Sequence, residues 1–237
     1  MSDTDPFTLV LDATQGYARM NLTTVRGSVR AVDENDSTAQ LIMDLQTINH
    51  RRVAEFDFTG TDHDAEPDNY QINTGGLNLD SLTGATPVKV RGFVQPFGQA
   101  PADFNAQALI SVADMRAFMK VRWTRSSPTA IQSATADGLV LNLDEVGAFH
   151  HLIRGWVVTD LTQLGTAPML APRTEGTGLF VLRYRGIAQV VPNFEDFANV
   201  LQGHMEDGAA VHKMVAVGDF DDVSAILTAD VIEIRLF

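Results

Sequence analysis

The sequence predicts a mostly β protein whose short strands form antiparallel sandwiches or barrels, with one main helix towards the end of the chain. Three observations predict it. Apolar residues recur with the two-residue period of strands over most of the chain, and turn-forming residues interrupt them roughly every ten residues. One segment near residue 200 has the period of a helix instead. The 237 residues suffice for one or two domains.

The predicted strands alternate apolar and polar residues, as strands with one buried face do. In chain order they cover residues 7–12, 25–33, 38–45, 88–94, 106–112, 118–124, 138–144, 150–158, 179–191, 211–217 and 225–236. Sequences rich in Gly, Pro, Asn and Asp separate several of these runs, for example Asn73–Gly76 and Asp219–Asp222. Such residues favour tight turns because they tolerate or preset turn dihedral angles.

The main helix is predicted over residues 194–206. Asn193 is a suitable N-cap, Glu195 and Asp196 place negative charge in the first turn, and Gly208 ends the helix. One apolar stripe at steps of three and four is formed by Phe194, Phe197, Leu201 and Met205. A stripe of this kind is typical of a helix packed on a core.

An Arg-Gly pair recurs in four strand-like runs, at residues 26–27, 91–92, 154–155 and 185–186. With 14 Arg and 18 Gly, chance would give about one such pair. A glycine inside a strand usually marks a bulge or a barrel bend, where a side chain would block a close approach. The flanking arginine should then point away from the apolar face. The functional alternative is a comb of arginines that binds an anion.

Two blocks of the chain end in a similar way. Residues 88–93 and 104–110 resemble residues 215–220 and 227–232: a strand reaching Gly, a loop, and then apolar-x-Ala-x-apolar-apolar. This pattern indicates the last hairpin of a small barrel used twice. The boundary is expected between Val112 and Phe118, which gives a first β-barrel region over residues 7–114 and a second, containing the helix, over residues 115–237.

This hairpin is similar to bacterial OB-like β-barrel repeats of unknown function, which occur in exported proteins and lipoproteins. The stretch Val90–Phe104 in particular looks like part of uncharacterised proteobacterial lipoproteins. The resemblance covers residues 25–112 and, more weakly, 179–237. It implies tandem OB-like small antiparallel barrels and export across the inner membrane, and it brings no catalytic residues. The chain departs from the pattern in lacking a lipobox cysteine. A helix before the final hairpin independently fits an OB barrel.

The composition restricts the class of partner. The chain has 17 Lys+Arg against 30 Asp+Glu, a net charge of −13, which argues against nucleic acid or an anionic membrane surface. Without cysteine it has no disulfides, thiolate metal sites or thiol nucleophile. No run is long and apolar enough to span a membrane, and Met1–Pro6 contains no export signal. The acidic, lysine-poor composition favours the periplasm or cell surface, with the signal absent from this sequence, while a cytoplasmic location stays open.

No residue of the sequence is assigned a catalytic, cofactor-binding or metal-binding role. Nucleophile-elbow, P-loop, dinucleotide-binding and His-Glu-x-x-His motifs are missing. His150 and His151 adjoin on a predicted strand, so their side chains should leave opposite faces. Residues 62–69 carry oxygen ligands at alternate positions, Asp62, Asp64, Glu66 and Asp68, like the opening of a calcium loop. Pro67 stands where such a loop needs Gly, so a solvated acidic loop is the default interpretation.

The sequence therefore favours a non-enzymatic, extracytoplasmic β-barrel module that acts through contacts with a protein partner or a second copy of itself, without a cofactor. Some of the aromatic residues at the barrel corners could be exposed for this purpose, or they could simply cap the barrel cores; they are Phe93, Phe97, Phe104 and Trp156. Strand edges at barrel seams could add a partner's strand. Two alternatives remain: a barrel that carries a small apolar ligand or lipid, and a divergent metal- or carboxylate-dependent hydrolase.

Overall fold

The fold is mostly β, as predicted, and has one main helix. The computed structural model describes residues 21–58, 65–95, 102–124, 129–173 and 177–237. These ranges contain sixteen β-strands, one α-helix and three short 3₁₀ turns. The strands form two sheets, of which the first closes into a barrel and the second is larger. The strand predicted at residues 7–12 lies outside the described residues.

The first sheet closes into a five-stranded barrel with an OB-like strand order. Neighbouring strands run β1-β5-β6-β4-β2 and back to β1, while β3 extends the sheet beyond β2. The pair β4–β6 is parallel, whereas the other pairs are antiparallel. The strands are β1 (Thr23–Val32), β2 (Leu41–Ile48), β3 (Arg51–Arg52), β4 (Tyr70–Asn73), β5 (Pro87–Val94) and β6 (Phe104–Ser111).

Two glycines allow this small barrel to bend. The pairing register shifts between Arg26 and Gly27 on β1, and between Arg91 and Gly92 on β5. A Cβ on Gly27 would overlap the backbone carbonyl oxygen of Asp44, and one on Gly92 would overlap that of Asn105. The interpretation of these glycines as bend positions is therefore confirmed, because the neighbouring strand approaches too closely for any side chain.

The second sheet has ten strands and is open in the described part of the chain. Its main order is β11-β10-β7-β15-β16-β12-β9-β8, with β13 also paired to β16, and β14 to β13. The strands β12 and β13 follow each other along β16, both parallel to it. The ten strands are β7 (Ala117–Trp123), β8 (Ile131–Thr135), β9 (Gly138–Leu141), β10 (Val146–Arg154), β11 (Val157–Asp160), β12 (Met169–Pro172), β13 (Thr177–Tyr184), β14 (Ile187–Asn193), β15 (Val211–Asp221) and β16 (Ile226–Leu236).

The helix α1 (Phe194–Glu206) lies where the sequence predicts it. The Asn193 side chain accepts a hydrogen bond from the Asp196 N–H at 3.2 Å, so the predicted N-cap is confirmed. Phe194, Phe197 and Leu201 are buried, and they belong to the core of the second sheet. The helix packs against β8, β13 and β14. The apolar stripe is therefore a packing surface, as predicted.

Each sheet has its own apolar core. Buried residues between Val25 and Ala106 form one cluster, and those between Ala117 and Leu236 form another. Packed side chains fill the first barrel, where Val25, Met43 and Phe104 have no exposed surface. Residues 112–116 separate the two sheets along the chain. The division into regions 7–114 and 115–237 stays a prediction.

Two predicted single strands are in fact hairpins. Residues 150–158 turn at Gly155–Trp156, between β10 and β11, and residues 179–191 turn at Arg185–Gly186, between β13 and β14. All four turn residues have positive φ, between 49° and 83°. Such two-residue turns reverse the chain without breaking the alternation of apolar and polar residues, so periodicity alone missed them.

Two of the four arginines in the Arg-Gly pairs, which were expected to point away from the apolar face, are buried. Arg26 is 5% exposed and Arg154 is 1% exposed. Burial lowers the pKa of the Arg26 guanidinium. The Arg154 guanidinium donates two hydrogen bonds to the Asp222 carboxylate, at 2.6 and 2.7 Å, and one to the Ala113 carbonyl oxygen at 3.2 Å. Arg154 therefore connects the segment between the sheets to the β15–β16 turn.

Candidate binding edge

Strand edges are the most distinctive surface features of this fold, because an open sheet leaves unpaired backbone groups at its ends. A closed barrel has no such edges. Within the described residues, four strands pair on one side only: β3 in the first sheet, and β8, β11 and β14 in the second. Three of these four are protected against a further strand, each in a different way.

The β3 edge is short and charged, since it consists of Arg51 and Arg52 alone. The β8 edge carries a register irregularity between Ile131 and Ser133, and Gln132 and Ser133 on it are exposed. Short length, charge, polar side chains and bulges all discourage pairing with another chain. Neither edge is a good template for a partner strand.

The β11 edge is occupied by a side chain from the first barrel. The amide of Gln46 donates to the Val158 carbonyl oxygen at 2.7 Å and accepts from the Val158 N–H at 2.8 Å. Val158 is the second residue after the Gly155–Trp156 turn. The outward N–H and C=O of Val158 are thus both hydrogen-bonded by one side-chain amide, which donates through its nitrogen and accepts through its oxygen.

The β14 edge has the same hairpin geometry. A turn at Arg185–Gly186 pairs Tyr184 with Ile187, and ladder bonds then alternate along the strand, so Ile187 and Gln189 bond towards β13. The N–H and C=O groups of Ala188 and Val190 consequently face away from β13. Ala188 is the second residue after its turn, as Val158 is after the other. None of the described hydrogen bonds from elsewhere in the protein reaches these groups.

The side chains of β14 add an apolar surface to this edge. Ile187 is 73% exposed and Val190 is 60% exposed, and Ala188 and Gln189 are exposed as well. Pro192 ends the usable edge, since proline offers no N–H. We call the segment Ile187–Val191 with its outward backbone groups the β14 edge. It is long enough to pair with about five residues of an extended chain.

The residues considered for a calcium site are only partly described. Asp62 and Asp64 lie outside the described residues. Glu66 and Asp68 are exposed, and an Asp68 carboxylate oxygen lies 3.8 Å from Nη1 of Arg30. The described part of the chain contains no group of three His, Cys, Asp or Glu side chains placed to hold a metal. No metal ligand is assigned among these residues.

The two adjacent histidines do not separate as expected. The rings of His150 and His151 lie with centroids 4.9 Å apart, next to an irregularity in the pairing of β10 with β7. Nε2 of His150 lies 3.3 Å from a carboxylate oxygen of Asp160. Partial burial raises the pKa of Asp160, but hydrogen bonds from Thr162 and the nearby His150 outweigh it and hold that pKa below its ordinary value.

The aromatic residues at the barrel corners differ in how far they are exposed. Phe104 is fully buried in the core of the first barrel, and Phe93 is half-buried. Phe97 lies outside the described residues. Trp156 is 72% exposed at the β10–β11 turn, and its ring makes an edge-to-face contact with His50 of the first barrel. Trp156 therefore lies where the turns of the two sheets meet.

Comparisons with known proteins assign no family. No family model matches the sequence, and no match was found among curated proteins or solved structures. The resemblance to OB-like barrels of exported proteins and lipoproteins therefore remains an expectation about family and export. In the described ranges, no helix has the length and apolar character to cross a membrane.

Proposed function

We propose that this protein is a non-enzymatic binding module that takes up an extended segment of a protein partner at the β14 edge. The single observation behind the proposal is the contrast among the four edges. Three are shortened, bulged or occupied, whereas β14 presents outward backbone groups at Ala188 and Val190 beside exposed apolar side chains. Proteins that leave such an edge bare commonly use it to add a strand.

The internal precedent at β11 supports this use. There, Gln46 supplies a donor and an acceptor to the position equivalent to Ala188. A partner's backbone would supply the same pair of groups at β14, and would repeat them at Val190. The acidic composition and the family resemblance further support a location in the periplasm or at the cell surface, where the partner would also be found.

The proposal is tested by selecting binders from a random library of short displayed peptides, and by blocking the edge. Ala188→Pro removes one outward N–H without removing a bond to β13, whereas Ala188→Thr keeps that N–H and changes the side chain. We expect selected peptides to lose about tenfold or more in affinity for Ala188→Pro, and to bind Ala188→Thr nearly as well as the original protein.

Circular dichroism and thermal melting of both variants show whether the fold is retained. Equal peptide affinity for Ala188→Pro and the original protein would contradict strand addition at β14. Catalytic turnover in a broad substrate screen, unchanged in Ala188→Pro, would contradict a role based on binding.

A further inference from the structure

Four cationic side chains stand side by side on the outer face of the second sheet. Pairing places Arg122 opposite Lys213, Lys213 opposite Arg235, and Arg235 opposite Arg183. The next residues along these strands face the core and are almost completely buried, namely Val121, Met214, Ile234 and Leu182. We call Arg122, Lys213, Arg235 and Arg183 the cationic row. It crosses β7, β15, β16 and β13, and so leads towards β14.

Such a row is unfavourable for the sheet alone. Like charges on directly opposed cross-strand positions repel one another. Among the described residues only Arg183 in the row forms an ion pair, with Glu233 at 2.6 Å. Elsewhere on the same sheet, Arg116 and Arg173 are matched by Asp219 and Asp230. The chain has acidic residues in excess, yet in its described part three of the four members of the row form no ion pair.

A surface depression adjoins the end of the row nearest β14. It has a volume of about 590 Å³, and the charged side chains in its lining are three cations, Arg183, Arg185 and Arg235, and one carboxylate, Glu233. Arg185 belongs to the β13–β14 turn and has a φ of 49°, in the left-handed region that favours Gly or Asn. Its guanidinium carbon lies 4.9 Å from the centre of the Tyr184 ring. A fifth cation is thus held beside the edge at some conformational cost.

We propose that the strand which adds to β14 is acidic, that its carboxylates are bound by Arg183 and Arg185, and that the rest of the cationic row adds a positive potential at longer range. This inference rests on the proposed function and names the chemistry of the partner. Arg183 is the cross-strand neighbour of Ala188. The added strand would lie two strand spacings, about 10 Å, from β13, a distance that a Glu and an Arg side chain can span together across the small Ala188.

The register specifies a pattern for the partner strand. Side chains two residues apart on a strand share a face. Ala188 and Val190 share the face that carries Arg183 and Val181. The added strand should therefore have an acidic residue beside Ala188 and an apolar residue beside the exposed Val190. Its motif on that face is acidic-x-apolar, in an order that depends on the direction of the added strand.

A short acidic peptide fits better than a nucleic acid. The row spans three strand spacings of about 4.8 Å, roughly 14 Å in all, which is enough for only a few negative charges. A longer polyanion would extend over the rest of a surface whose chain has a net charge of −13. A peptide strand can also use the outward N–H and C=O groups of Ala188 and Val190, whereas a phosphate backbone lacks the donor.

The test compares two fluorescent nonapeptides in which threonine occupies every other position. On the remaining face one peptide alternates Glu with Val, and the other alternates Gln with Val. At about 50 mM salt the Glu peptide should bind at least about tenfold more tightly than the Gln peptide, and this advantage should shrink at high salt. Arg235→Gln and Arg183→Gln should each weaken the Glu peptide about two- to fivefold, with little effect on the Gln peptide.

Arg91→Gln is the matched control, since it removes one exposed charge from the first barrel and should leave both affinities unchanged. Equal binding of the two peptides, with loss of both in Ala188→Pro, would overturn the acidic preference and leave strand addition standing. No binding of either peptide would overturn both proposals. Tighter binding of a single-stranded oligothymidylate, lost in Arg235→Gln and unchanged in Ala188→Pro, would replace the peptide by a nucleic acid.

Discussion

Gly92→Ala probes the bend of the first barrel, because β5 approaches β6 most closely there. A Cβ at this position would overlap the Asn105 carbonyl oxygen and lie 2.7 Å from Cε1 of Phe104. Carbon atoms pack at about 3.5–4.0 Å, so the strands would have to separate by roughly 1 Å or lose ladder bonds. Overpacking costs about 1–3 kcal/mol, and a disturbed ladder bond adds about 1 kcal/mol, giving about 2–4 kcal/mol in total.

The assay is thermal unfolding followed by circular dichroism. For a chain of this size each kcal/mol corresponds to about 2–4 °C, so the melting temperature should fall by roughly 5–15 °C. Gly203→Ala makes the same chemical change in α1, where a Cβ would meet nothing within 4 Å. That control should stabilise the protein by about 0.5–1 kcal/mol, since alanine favours the helix. Equal melting temperatures for the two variants would refute the close-approach reasoning.

Two further predictions concern the second core. Phe197→Asp should lower the free energy of unfolding by at least about 4 kcal/mol, because it removes a fully buried ring and buries a charge without a partner. The control Asn199→Asp, on the exposed side of the helix, should change that free energy by less than about 0.5 kcal/mol. A small shift in melting temperature for Phe197→Asp would contradict the packing. In denaturant titrations, Asp222→Ala should lower the free energy of unfolding by about 3 kcal/mol and Arg154→Met by about 2 kcal/mol. The loss is larger for Asp222→Ala because that variant leaves the buried Arg154 guanidinium charged and without its carboxylate. A larger loss of stability in Arg154→Met than in Asp222→Ala would contradict this explanation.

The sequence predicted those features that depend on local patterns. The helix limits, the Asn193 cap and the buried stripe follow from short-range rules, and all three are confirmed. Gly27 and Gly92 could be interpreted as bend positions because a glycine within an alternating run has few other uses. The strand pairs β5–β6 and β15–β16 also lie where the sequence predicts them, although β15 continues to Asp221, through part of a predicted turn.

The β14 edge was missed because residues 179–191 alternate without interruption. The available signal was Arg185–Gly186, since Gly in the second position of a two-residue turn is typical of hairpins. When residues 179–191 are interpreted as one long strand, β14 is not a separate strand, and its unpaired side cannot be predicted. The same error hid the β10–β11 turn, where Trp156 also has positive φ.

The cationic row could not be found from sequence spacing. Its members are separated by as many as 113 residues along the chain, and only the pairing of four strands makes them neighbours. A register slip of one residue on any strand would move its cation to the core face. Net charge concealed the row as well, because an excess of acidic residues argues against any anionic partner unless the charges are mapped onto the fold. Of the Arg-Gly arginines, Arg185 alone lies beside the row.

Backbone amide hydrogen exchange of β14, measured with and without the Glu-containing peptide, tests the central claim most directly. In the free protein the amides of Ala188 and Val190 should exchange rapidly, while those of Ile187 and Gln189, bonded to β13, exchange slowly. Binding should slow the exchange of Ala188 and Val190 by about tenfold or more and change the other two far less. Slow exchange at Ala188 and Val190 in the free protein, or unchanged exchange in the complex, would contradict the claim that β14 is an open edge that receives a partner strand.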